Sequence, residues 1–197
     1  MSGVCCVVLA IRLLSSTLAG SRDRRADASL PRADFDPSWG CRMTRIAIID
    51  RAYIRLPKVF EACQNLRATL ASGPLTRREQ QIVNLTVARH WNARYPWFAQ
   101  ARNSLAIGIE QAVIDAINAR KTPSLADARE RTCFAVAREI LANKGLSDES
   151  YAAAEKTMGL ESLVALVAAV GSFSMTCLTA ATFQIDPPPT NPTPLAE

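Results

Sequence analysis

Between Thr76 and Gly108 the chain gathers Glu79, Gln81, Arg89, His90, Tyr95, Trp97 and Gln100, side chains that can hold a ligand or move a proton. His90 is the one histidine of the protein, and the one group whose ordinary pKa of about 6.5 suits proton exchange at neutral pH. It is therefore the natural catalytic base. Arg89 beside it carries the planar fork of N–H donors that grips a carboxylate bidentately. Gln81 and Gln100 donate and accept hydrogen bonds but exchange no proton near neutrality. Tyr95 and Trp97 supply ring faces. Each residue also has a plainer use: Arg89 offsets a helix dipole, His90 faces solvent at a helix end, Glu79 completes a capping box and the aromatics fill a core.

The elements that must position these groups are helices. Apolar residues recur at helical spacing, with no sustained alternation of the strand type. Helices are expected at about 57–72, 76–91, 94–107, 109–120, 125–144, 147–158 and 160–184. Pro57 suits a first helical position, Gly73-Pro74 stops that helix, and Thr76 with Glu79 three residues on reads as a capping box. Ser147 followed by Asp148 and Glu149 places an N-cap ahead of acids that favour the helix dipole. The fold class is all-α. Residues 163–183 carry no charge and pass the length criterion for a membrane span. Their serines and threonines, and the lack of a basic flank, favour instead a central helix buried on all sides, with no membrane.

On those helices, residues 78–89 (REQQIVNLTVAR) and 95–100 (YPWFAQ) resemble the signature helix pair of the carboxymuconolactone decarboxylase and alkylhydroperoxidase D family. The resemblance covers Arg78 to Gly108 well and implies an AhpD-like domain of six to seven helices over residues 43–185, with no cofactor. It also implies homotrimers or homohexamers, for which the charge-free last helix is suited. The family pattern places a glutamate at position 81 and a histidine at position 100, nineteen residues apart, where this chain has Gln81 and Gln100. The peroxidase branch adds cysteines at positions held here by Ala93 and Pro96, so the thiol-peroxidase reading loses its nucleophile, acid and base. The decarboxylase branch needs no cysteine and implies a pocket for a small carboxylated ring compound. In that pocket Gln81, Arg89, Tyr95, Trp97 and Gln100 would bind the acid, with His90 as the catalytic group. The two amides are expected to face each other and to hydrogen-bond to a ligand or to one another. A non-catalytic homologue that kept the fold is the remaining reading.

Composition narrows the classes further. The net charge of +5, with 23 basic against 18 acidic residues and no basic block interleaved with aromatics, is too thin for a nucleic-acid footprint. Six cysteines without a Cys-x-x-Cys give no disulfide framework, and with a single histidine they give no metal site. Cys63, Cys133 and Cys177 fall in apolar helical patterns, as small buried hydrophobes do. The apolar run from Val4 to Leu14 is broken by Arg12 and makes a poor signal peptide, which points to the cytoplasm. Residues 1–42 mix Arg, Asp, Ser and Pro without helical period and read as a disordered or spurious extension, with Met43 opening the domain. Residues 186–197 hold five prolines and read as an extended tail.

Overall fold

Pro57 and the Thr76 box set the first two helices of the computed structural model, which describes Tyr53, residues 56–189 and residues 191–196. The expected extension over 1–42, with Cys5, Cys6, Cys41 and the Met43 start, lies outside the described residues. Helix α1 spans Pro57–Ala71, α2 Arg77–His90, α3 Arg94–Ala106 and α4 Gln111–Asn118. Then follow α5 Ala128–Asn143, α6 Asp148–Met158 and α7 Leu160–Thr182. The described residues contain no strand, and the fold is all-α.

Local chemistry accounts for the helix starts. Thr76 Oγ1 accepts from the Glu79 amide at 3.2 Å while the Glu79 carboxylate accepts from the Thr76 amide at 2.7 Å, so two donors left over at the start of α2 are satisfied at once. Asp127 does the same for α5, accepting from the amides of Arg129 and Glu130 at 2.8 and 3.0 Å. Gln80 Nε2 donates to the carbonyls of Leu70 and Leu75, closing the end of α1 onto α2. Helix positions are thereby fixed by side chains as well as by packing.

The centre of the molecule is α2. Ile82, Val83, Leu85, Val87 and Ala88 are fully buried, and the helix packs against α3, α4, α5 and α7. This corrects the expectation that the charge-free last helix is buried on all sides. One face of α7, with Leu163, Leu166, Ala169, Val170 and Cys177, joins the core, while Leu160, Val164, Val167, Met175 and Leu178 stay exposed. Lack of charge does not decide depth: α7 has several partners too, but all of them pack on one of its faces. The polar groups that make α2 look superficial are satisfied internally, as when Thr86 Oγ1 donates to the Ile82 carbonyl at 2.8 Å. Helix α7 is long and apolar enough to cross a membrane by length and composition, and its inner face packs against α1, α2, α3, α5 and α6.

Beyond α7 the chain is non-helical, as its prolines require, but it is tied down. Trp97 Nε1 donates to the Thr193 carbonyl at 3.0 Å. Asn118 donates to the Pro194 carbonyl and accepts from the Ala196 amide, both at 2.9 Å, and Leu195 packs against the core.

Candidate functional site

Helices α2 and α3 form an antiparallel pair joined by the tight turn Trp91–Ala93. Asn92 adopts φ 48° there, a left-handed conformation that asparagine tolerates better than most side chains. The Ala93 amide donates back to the Ala88 carbonyl at 3.0 Å, and Pro96 falls in the first turn of α3, where its missing N–H costs nothing. This reversal brings Gln81 opposite Ser104. Ser104 Oγ, fully buried, donates to Gln81 Oε1 at 3.4 Å, a long and therefore weak contact. Gln100 stands one turn earlier than Ser104 on the same face of α3. Its Oε1 is buried and accepts no hydrogen bond. The two amides thus share the α2–α3 wall, yet the bond joining the helices runs from Ser104 to Gln81 and not between the glutamines.

His90 does not join them, and Arg89, Tyr95 and Trp97 are each engaged in other contacts. Nine residues separate Gln81 from His90, which at about 100° per residue sets His90 on the opposite side of α2. His90 is exposed, with its ring edge-on to Trp91 at 5.2 Å. Its pKa is lowered, first by partial desolvation and then by the charge of Arg120. Arg89 is buried and donates through Nε to the Asn118 carbonyl at 2.6 Å and through Nη1 to Asn92 Oδ1. It bridges the ends of α2 and α4. Tyr95 is half-buried near Phe98, at 6.3 Å between ring centres. Trp97 is fully enclosed, with its N–H given to the tail, so its ring is core rather than an open shelf.

Charged residues outside the expected set form the most elaborate polar network. Glu79, 2% exposed, accepts from Arg129 Nε at 2.7 Å, and Glu130 accepts from Arg78 Nε at 2.7 Å. The dipeptide Arg-Glu stands at 78–79, 129–130 and 138–139, and the first two pair crosswise, each arginine meeting the other helix's glutamate. Burial alone would raise the Glu79 pKa, but the bonds from Arg129 and from the Thr76 backbone outweigh it and the net shift is downward. Cys133 lies one turn beyond Arg129, fully buried. Desolvation first, and then the nearby Glu79 charge, push its thiol up to about 12. Cys177 is likewise pushed up to about 12 by burial. Neither thiol is a thiolate near neutral pH, and a buried neutral thiol is a poor nucleophile. No His, Cys, Asp and Glu cluster among the described residues could hold a metal ion.

A crystal structure from Agrobacterium tumefaciens, of a protein of unknown function described as a candidate AhpD antioxidant defence protein, superposes with a TM-score of 0.63 at 16% identity, over 70% of this chain and 95% of that one. The fold is AhpD-like. No protein-family model matches the chain, and no curated protein does. Within the AhpD-like fold, the paired helices that carry Gln81 and Gln100 are the central α2 and its neighbour α3, with Ala93 and Pro96 both buried between them.

Proposed function

We propose that this protein binds a small carboxylated ring compound against the α2–α3 wall, without a cofactor, and that it runs no thiol-peroxidase cycle. The observation that carries the reading is Gln100 Oε1, a buried acceptor with no donor. An orphaned buried oxygen costs about 1–3 kcal/mol, and an O–H or N–H of a bound ligand would recover it. Gln81, whose oxygen already faces Ser104, keeps its amide N–H groups for a carboxylate oxygen. The substrate class comes from the resemblance to the decarboxylase branch. Amides and a serine move no protons near pH 7, and His90 lies on the far side of α2, so the arrangement favours binding over lyase chemistry. The antioxidant alternative lacks support from Cys133 and Cys177, both held as neutral thiols.

A self-association accompanies this reading. The exposed face of α7 runs Leu160, Val164, Val167, Gly171, Met175 and Leu178, steps of four and three that keep to one side of a straight helix. Such an apolar stripe suits a second copy of the chain, as trimers or hexamers require.

The test is calorimetric titration with muconolactone-type acids. Saturable binding is expected in the natural chain, with at least a tenfold loss in Gln100→Leu and no consumption of the acid. The same leucine should raise stability without ligand by about 1 kcal/mol, since it removes the orphaned oxygen. Equal affinity in the leucine variant, or turnover of the acid, would sink the proposal.

A further inference from the structure

Two guanidiniums converge on a single oxygen where α2 ends. Arg89, buried in the last turn of α2, and Arg120, in the left-handed turn that closes α4, both donate to Asn92 Oδ1, Arg120 through Nη2 at 3.0 Å. Like charges drawn to one acceptor repel each other unless something negative stands between or beside them. Among the described residues, no carboxylate lies within ion-pair distance of either arginine. Part of the charge is answered by backbone, since Arg89 Nε holds the Asn118 carbonyl at the end of α4. A helix C-terminus contributes roughly half a negative charge, so the ends of α2 and α4 together leave a positive excess beside two full cations.

We propose that Arg89 and Arg120 form a binding site for a small oxyanion, such as a carboxylate or sulfate group, at the junction of α2, the Asn92 turn and the end of α4. Arg120 is exposed and commits only Nη2, so the rest of its fork is open to a ligand from solvent. Arg89, immobilised by Asn118 and Asn92, supplies the fixed half of the cradle. Planar forks of this kind match the flat edge of a carboxylate or two oxygens of a sulfate. The site does not rest on the ligand reading above: Arg89 lies eight residues along α2 from Gln81, about 12 Å of helix rise away.

The neighbouring histidine reports on the site. His90 is the single histidine of the chain, and Arg120 already disfavours its protonation, so an anion held there must ease it. The experiment is an NMR titration of the His90 imidazole in the full chain while sodium sulfate replaces sodium chloride at constant ionic strength. A saturable rise of its midpoint by about half a pH unit is expected, from one screened charge at short range. Arg120→Gln, a change at an exposed position, should raise the starting midpoint and abolish the sulfate response. Gln100→Leu should leave that response intact, which separates this site from the α2–α3 wall. An absent response, an equal one in chloride alone, or one that persists in Arg120→Gln overturns the proposal.

Discussion

At the residue scale the α2–α3 pair carries groups that hold rather than exchange protons. Gln81, Gln100 and Ser104 make a hydrogen-bonding wall, and an ion pair of α2 sits in its first turn, where Glu79 meets Arg129. That pair ties α2 to α5 and has a definite pH signature. The folded pKa of Glu79 is below its ordinary 4.5, so the stabilisation is fully present above that value and is lost as pH falls through the lower, folded one. Glu79→Gln keeps an amide able to close the capping box but leaves Arg129 without its counter-charge. A loss of about 2 kcal/mol at pH 7 is expected, as for a charge-assisted hydrogen bond, shrinking once acid also protonates Glu79 in the natural chain. Urea unfolding of both proteins from pH 7 to pH 3 checks this; a constant difference would contradict it. The amides, His90 and Arg89 were readable as candidates from their types alone. The place of His90 on the opposite side of α2 from Gln81 follows from their nine-residue spacing, which family likeness does not weigh. The crossed Arg-Glu pairs depend on contacts between residues some fifty positions apart, which no local pattern reveals.

At the element scale, seven described helices match the expected ones to within a few residues at each end, because caps are local chemistry: Thr76, Asp127 and Ser147 each accept from an amide of the first turn. Depth within the bundle is not local. Helix α2, with arginine and glutamate in its first turn and Arg89-His90 in its last, is the most enclosed, while the charge-free α7 shows a full apolar stripe to the outside. Hydropathy ranks the side chains of a helix, whereas burial depends on whether its partners surround it or cover one face. The stripe also borders a groove of about 370 Å³ between α6 and α7, lined by Leu146, Tyr151, Leu160, Val164 and Val167 among others. Val164 is 60% exposed, so a charge there would be harmless in a lone chain. In an assembly closed over α7 it would be buried without a partner. Val164→Asp is therefore expected to keep its helical circular dichroism and to weaken self-association by on the order of a hundredfold, about 3 kcal/mol. Sedimentation velocity decides, and an unchanged mass distribution would remove α7 as the contact.

At the scale of the whole molecule, the last residues act as a clasp across the bundle. The tail binds α3 through Trp97 and the end of α4 through Asn118, two places distant in sequence, while Arg94 and Asp186 add an exposed ion pair worth little by itself. From the sequence, five prolines said only that no helix could form there. The docking was hidden because it depends on side chains of other helices reading the tail's backbone. Asn118 uses both ends of its amide on the chain at Pro194 and Ala196, and along the tail Asn191, Thr193 and Leu195 turn inward while Pro192, Pro194 and Ala196 stay exposed. Removing residues 190–197 would strip the indole N–H of fully buried Trp97 of its acceptor, free both polar ends of Asn118 and uncover the core beneath Leu195. Three hydrogen bonds, at roughly 0.5–1.5 kcal/mol net each, give an expected loss of about 2 kcal/mol. For a chain of this length that lowers the thermal midpoint by roughly 4–8 °C. Differential scanning calorimetry of the full and shortened chains measures it, and a midpoint lowered by less than about 1 °C would show that the clasp contributes nothing to the fold.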